Sequence, residues 1–433
     1  MNSSAANYVS RSVKGPRERA QVHVIDGVSQ YRHARSLRVL VIGAGVSGVS
    51  VARGLLRDGH DVAVFDQRSD VQAGGGAVTI WSNGETVLGQ LGVDMDGAGQ
   101  LLSSVRVTTS MGRPLATLDV TAIVNRLGAP VRMVPRRDLL ERLLEGFPAD
   151  RIRCNHRVVG VVTTPDGVRV EFQDGSSAEG DLLIGADGLH SVVRDVVGAR
   201  DAEPTGWCSW QGLVTLPDVA NDHVAAIIIG ERGNTGLWPA GGSDWQWWFD
   251  LPWSYGYVRP QNPIELIRSN FTGWSDSVDR VLAKLTDHDL AASPFPHFRH
   301  PIPEPGKGPV TLLGDAAHTM PPTLAQGTNQ ALLDTMVLCK ALSGLQMGTK
   351  RGTPSSALRW YEKTRRRKVG AVSRLASLQV SHGEGVLRPA TYVSDRFQTW
   401  ALTTFLRWTS HRRLSAEISR ELRAAPFVPA GPQ

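Results

Sequence analysis

An α/β fold follows from three features of the sequence. These are a glycine-rich turn between a β-branched run and a helical stretch, two later Asp-bearing turns that each follow a short apolar run, and a Trp-rich region of alternating polarity. The first is Gly43-Ala44-Gly45-Val46-Ser47-Gly48. It joins the strand-like run Leu37 to Ile42 to a segment of helical spacing through Asp58, and Asp61 to Asp66 reads as a second strand, completing a βαβ unit. Glycines at these positions permit a tight turn and close backbone approach to a pyrophosphate, with the helix N-terminus favouring its charge. Val49, Ala52, Leu55 and Gly59 continue the helix packing, and Asp66 ends the second strand about twenty residues on, where a carboxylate accepts ribose hydroxyls. The unit is Rossmann-like, and Arg68 leaves open whether the ribose carries a 2′-phosphate.

The second feature has two parts. Gly185-Ala186-Asp187-Gly188 follows the strand Leu182 to Ile184 and leads into His190-Ser191-Val192-Val193-Arg194. Gly314-Asp315-Ala316-Ala317-His318 follows the strand Pro309 to Leu313. Met320-Pro321-Pro322 comes next, and Ala325-Gln326-Gly327-Thr328-Asn329-Gln330 opens a helix. The third feature spans residues 207 to 250, which read as an antiparallel sheet. Helical periodicity marks 327 to 343 and 355 to 382.

These readings divide the chain into a flexible N-terminal extension, 1–35, and a discontinuous nucleotide-binding domain, 36–200 and 301–380. Part of 76–130 contributes to the substrate side, 201–300 forms the substrate-binding β-sheet domain, and 381–433 is a C-terminal helical segment. Composition excludes several classes. The formal net charge of +6 is spread without an aromatic-basic platform, so no nucleic-acid partner is expected. Cys154, Cys208 and Cys339 have neither disulfide nor zinc-site spacing, and no metal is expected. The absence of a long apolar run or a secretory h-region predicts a cytoplasmic protein without integral membrane association. Oligomeric state is not legible.

In order and spacing the three motifs resemble the single-component flavin monooxygenases of the para-hydroxybenzoate hydroxylase family, including its salicylate-hydroxylase-like members, over roughly residues 37 to 380. The resemblance implies FAD as cofactor, NADPH or NADH as reductant and O2 as co-substrate. It places Gly43, Gly45, Val46, Ser47, Gly48, Asp66 and Arg68 on the ADP half of FAD. Asp187 and Gly188 match the motif implicated in FAD and NAD(P)H binding, and Asp315, after Gly314, matches the aspartate on the ribityl chain. Arg136 matches an arginine close to the flavin, Gly76 to Asn83 looks like the segment passing the isoalloxazine, and Gln326, Gly327, Thr328 and Asn329 complete the cofactor set. A helix starting near Gly327 points its amides at the pyrimidine end, so the flavin and backbone dipoles carry the chemistry and no side chain is assigned as catalytic.

Two positions depart from the family pattern. Ala325 stands where glycine is usual, which strains the loop if the backbone there has a positive φ. Gln211, in Trp210-Gln211-Gly212, stands where arginine is typical, which predicts neutral substrate anchoring. Candidate substrate-binding residues are Trp210, Gln211, Trp238, Trp245 and Trp247, with an ordinary sheet core as the alternative for each tryptophan. His318 reads as a structural hydrogen-bonding residue, Arg365 to Lys368 as a solvated helix face or a basic docking face, and Trp400 to Leu414 as packed on the body or touching a membrane surface. The expected activity is hydroxylation or epoxidation of a bulky apolar or aromatic molecule, with secondary metabolism as one setting. The alternative is a non-redox cyclase in which FAD is structural.

Overall fold

The computed structural model describes residues 36–71, 74–164, 166–220, 222–254, 256–300, 305–346, 352–387 and 392–424. The chain divides into units 1–34 and 35–433, and the expected extension, residues 1–35, lies outside the described residues.

The first sheet is fully parallel and runs β18-β12-β1-β2-β8, comprising Val310–Leu312, Leu182–Gly185, Arg38–Ile42, Asp61–Phe65 and Ile152–Arg153. β1 is central and buried along most of its length, which is why it reads as an unbroken apolar run instead of an alternating one. One face is covered by α1 (Val46–Arg57) and α9 (Gly327–Gln346). The other packs on an antiparallel sheet of β9 (Val158–Thr164), β10 (Gly167–Phe172) and β11 (Ser177–Gly180), where Phe65 meets Phe172 at 4.7 Å between ring centroids.

The second large sheet has seven strands in the order β17-β13-β16-β15-β14-β5-β6. They are Phe295–Arg299, Glu203–Thr215, Asp244–Pro252, Asn234–Gly241, Val224–Ile229, Ser104–Thr109 and Pro114–Asp119. Every pairing is antiparallel except β14 with β5, which joins segments more than a hundred residues apart. A small sheet of β3 (Ala77–Ile80), β7 (Arg132–Pro135) and β4 (Gln100–Leu101) lies beside it.

The remaining helices are α2 (Ser82–Gln90), α3 (Val120–Leu127), α4 (Arg136–Leu144), α5 (Val192–Val197), α6 (Pro263–Phe271), α7 (Asp276–Lys284) and the short α8 (Asp315–His318). α10 (Pro354–Leu387), α11 (Asp395–Thr409) and α12 (Arg412–Ala424) close the chain. The two long helical stretches expected from periodicity correspond to α9 and α10. Among the described residues no helix is long and apolar enough to cross a membrane, and no group of His, Cys, Asp or Glu is arranged to hold a metal ion.

Candidate active site

Because β1, β2, β12 and β18 are parallel, their C-terminal ends share one edge, and the three motifs meet there. Gly43 has φ +102°, and a Cβ on it would lie 2.4 Å from the Ala186 carbonyl oxygen; on Gly48 it would lie 1.8 Å from the Gly43 carbonyl oxygen. Both glycines are dictated by backbone packing. Gly45 differs, since a Cβ there would meet nothing within 4 Å. It caps α1 without a side-chain hydrogen bond, so the first amides of that helix, from Val46 and Ser47 onward, are left for an anion.

Asp66 is buried, accepting from the Ala44 N–H at 2.7 Å and the Arg68 N–H at 2.9 Å while its carboxylate pairs with the Arg68 guanidinium at 3.0 Å. Burial opposes ionisation, but these donors outweigh it and hold the carboxyl below the usual range. Asp187 accepts from the Val192 and Val193 N–H groups at the start of α5, beside Ser191, which caps the same helix. Burial pushes its carboxyl up, and its Oδ1 has no partner among the described residues. Gly188 follows at φ +81°.

Arg136 opens α4 with its N–H donating to the Gly76 carbonyl at 3.0 Å. Its guanidinium makes no hydrogen bond within the described residues; burial lowers its pKa and the facing Asp315 opposes this. Gly314 takes φ +61°, and a Cβ on it would lie 2.5 Å from Ser47 Oγ, so this motif packs directly on the first.

The loop before α9 ends in a 3-10 turn, Pro322–Leu324, after which Ala325 has φ +48° and ψ +38°. This is the left-handed conformation that the sequence comparison with glycine raised, held here by an alanine. Asn329 stitches the loop down, accepting from the Trp81 N–H at 2.9 Å and donating to the Thr79 and Ala325 carbonyls at 2.9 Å. Gln326 accepts from Asn83 at 3.1 Å and Gln330 at 3.0 Å, while its own buried Nε2 has no partner among the described residues. Gly327 and Thr328, half-buried, form the helix mouth beside it.

Beneath this loop lies a network that local sequence did not announce. His318 Nε2 is 2.5 Å from Asp334 Oδ2, which also accepts from the Gly314 N–H at 3.1 Å. Asp334 Oδ1 accepts from Arg365 Nε at 2.6 Å, and Arg365 donates to Gln330 Oε1 at 2.7 Å. Burial pushes the Asp334 carboxyl up, but His318 and Arg365 outweigh it and hold the carboxyl below the usual range. Arg365 is therefore not part of a solvated face: it is buried, while Arg366 and Arg367 are exposed. The partner of His318, Asp334, lies on α9, so the pair is visible only once α8 and α9 meet.

The seven-stranded sheet separates its tryptophans by parity. Trp210, Trp245 and Trp247 join Phe249, Leu251 and the apolar residues of α6 and α7 in one cluster. These three candidate substrate residues are core, because period-two alternation sends them to the helix-covered face. The opposite face carries Trp238 and Trp248, 5.8 Å apart between ring centroids and packed with Leu213, Ala77, Trp81 and Met133. Register pairs Ser209 with Asp250, Gln211 with Trp248 and Leu213 with Gln246 on this same face. Gln246 Oε1 accepts from the Ala77 N–H, and the side chain stands against Gly76. This face thus addresses the 76–83 segment beside Arg136, and Gln211 and Trp238 are the two proposed substrate residues that lie on it. Farther along, Ser209 donates to Asp250 and lies 2.6 Å from His297 Nε2; burial raises Asp250 to about 7 and lowers His297 to about 4. The alternation of Gln246, Trp248 and Asp250 with Trp245, Trp247 and Phe249 was the available signal for this assignment.

The residues present fit a flavin dinucleotide: an open glycine at a helix N-terminus, an ionised strand-end carboxylate, an unbonded arginine and an orphaned amide donor converge on one edge. The FAD binding domain family matches residues 36–376. The chain is 33% identical over 409 residues to a 3-amino-4-hydroxybenzoate 2-monooxygenase of Streptomyces cremeus, covering 90% of this chain and 99% of that protein. It is 31% identical over 309 residues to an FAD-dependent urate hydroxylase of Klebsiella oxytoca, covering 70% and 80%. HpxO of Klebsiella pneumoniae, solved in complex with FAD and uric acid, superposes with a TM-score of 0.71 at 26% identity, over 90% of this chain and 97% of that one.

Proposed function

The chain belongs to the FAD binding domain family and is an FAD-dependent monooxygenase, and on that premise we propose that it uses NADPH or NADH and O2 to hydroxylate or epoxidise a bulky, uncharged aromatic or apolar molecule. FAD, when bound, supplies the electron transfer and oxygen activation. The chain's own residues hold and shield it. Gly45 and the α1 amides receive the pyrophosphate, Asp66 the ribose, and Asp315 the ribityl chain, while Arg136 and the mouth of α9 favour negative charge on the ring system.

The observation that carries the substrate reading is the inner face of β13, β15 and β16. It presents Ser209, Gln211, Leu213, Gln246, Trp248, Asp250 and Trp238, with no lysine or arginine. A face with aromatic planes, amides and no cation anchors a planar ring by stacking and neutral hydrogen bonds, not by a salt bridge. The relatives' names, an aminohydroxybenzoate monooxygenase and a urate hydroxylase, support a ring substrate.

The test is anaerobic reduction of the purified holoenzyme by NADPH and by NADH, followed spectrally with a panel of neutral and carboxylated aromatics. Neutral aromatics should accelerate reduction. Acceleration only by carboxylated ligands would overturn the neutral-substrate reading, and a flavin that stays oxidised while ligands bind would favour the structural-flavin cyclase.

A further inference from the structure

Helix α11 turns three threonines inward beside Leu406 and leaves large aromatics on its outer face. Its buried residues are Thr399, Thr403, Leu406 and Thr409; Thr403 donates to the Thr399 carbonyl at 2.6 Å and Thr409 to the Leu406 carbonyl at 3.0 Å, while the Thr399 hydroxyl accepts from the Asp119 N–H at 3.1 Å. Its outward residues are Arg396, Phe397, Trp400, Thr404, Arg407 and Trp408. At 100° per residue these six fall within a sector of about 120°. Phe397 is 54% exposed, Trp400 49% and Trp408 41%, although a soluble surface helix normally turns such side chains inward. The neighbouring flank of α10 adds exposed Leu375 and Leu378.

Charge says what covers this surface. Arg396, Arg407 and the α10 residues Arg366, Arg367 and Arg374 have no carboxylate partner within 4 Å among the described residues. Arg366, Arg367 and Arg374 border the same cavity as Trp408, so the α10 cations adjoin the C-terminal end of the outer face of α11. Asp395, the acid at the start of the helix, accepts from the Thr117 N–H and is turned toward β6. A second copy docked about a two-fold axis would set these arginines against their own equivalents. An anionic bilayer neutralises them, and tryptophans with arginine are the side chains that settle at a headgroup boundary.

We propose that the outer face of α11, with the adjoining flank of α10, is a docking surface for anionic membrane lipid. The enzyme lies on the bilayer without spanning it, with Phe397, Trp400 and Trp408 at the acyl boundary and the arginines among the headgroups. The inner side of the same helix, through Leu402 and Leu406, packs in the cluster containing Trp238 and Trp248, so the docked helix is also a wall of the substrate-facing layer. The inference does not rest on the proposed reaction.

The experiment is flotation of the FAD-loaded protein with vesicles of phosphatidylcholine, and with vesicles of equal parts phosphatidylcholine and phosphatidylglycerol, alongside its oligomeric state by light scattering. The holoenzyme should float with the anionic vesicles, lose that binding as salt is raised, and ignore the neutral ones. Phe397→Ser/Trp400→Ser should abolish flotation with FAD content and melting temperature retained. Should that variant lose FAD, Arg396→Gln/Arg407→Gln serves in its place, with affinity falling about fivefold per arginine. No flotation by the native holoenzyme, or undiminished flotation by a folded variant, overturns the proposal. A native dimer that Phe397→Ser/Trp400→Ser converts to monomer also overturns it, in favour of a second copy.

Discussion

The parallel sheet and the seven-stranded sheet are both well buried, yet they position function by different rules. In the parallel sheet, position along the chain decides: strand ends at one edge deliver Gly43, Asp66, Asp187 and Gly314 together, and Gly43 and Gly48 are forced by backbone contacts that no Cβ tolerates. In the seven-stranded sheet, parity decides. Trp247 and Trp248 are adjacent in sequence, yet one is core against α6 and α7 and the other faces the cofactor side. Residue type therefore identifies the site in the first sheet and says little in the second.

Substituting across that parity tests the contrast most severely. Trp247→Ala should cost about 3–5 kcal/mol of stability by opening a cavity in a closed core. Trp248→Ala should cost less than half of that and instead raise KM for the aromatic substrate, as thermal melts and steady-state kinetics would register. Equal melting losses for the two would collapse the distinction between the faces.

In the parallel sheet the matching contrast is steric. Gly45→Val should leave a folded protein whose FAD affinity falls by about a hundredfold, close to 3 kcal/mol, because its side chain enters open space where the ligand's phosphates are received. Titration of apoprotein with FAD measures it, and full yellow colour in that variant would displace the pyrophosphate from this turn.

The pH dependence of the Ser209–Asp250–His297 group gives a smaller effect. Asp250 keeps its proton to about pH 7 in the folded chain, whereas an unfolded aspartate releases it near 3.9. Between those values the unfolded state gains by ionising, so Asp250 makes the native protein lose stability as pH rises. Asp250→Asn removes that dependence. Its stability relative to the native protein should climb by about 2 kcal/mol between pH 5 and pH 7. His297, whose own loss comes on acidification toward about 4, is present in both proteins and cancels in the difference. A pH-independent gap would mean that Asp250 is ionised in the fold.

Smallest is the loop. Ala325→Gly should stabilise by about 1 kcal/mol, since glycine adopts the left-handed conformation at little cost. A destabilised variant would show that the loosened turn costs more than the strain.

What was legible follows the same division. The turns at Gly43, Asp187 and Gly314 could be read because a ligand approaching backbone demands fixed residues at fixed offsets, and the long helices because their periodicity is local. Neither the parallel pairing of β14 with β5 nor the burial of Arg365 against Asp334 leaves a local trace. Arg365 sits in a basic run whose other arginines are solvated, so its role is created entirely by the helix that packs on it. For the tryptophans the alternation was present, and the polar members of β16 mark which side is which.

The position of β18 at the edge of the parallel sheet has a consequence for how the protein is made. That strand, Val310–Leu312, joins β12 only after five strands of the seven-stranded sheet, β13 to β17, have been translated between them. At roughly 5–20 residues per second, the apolar β1 waits tens of seconds on the ribosome for the outermost strand of its sheet. Early shelter must come from α1 and β2, which emerge within the next two dozen residues. A nascent chain stopped before Gly327 has the turn but not α9, the helix whose mouth borders the cofactor edge, and such a fragment is expected to emerge colourless however intact its first βαβ unit.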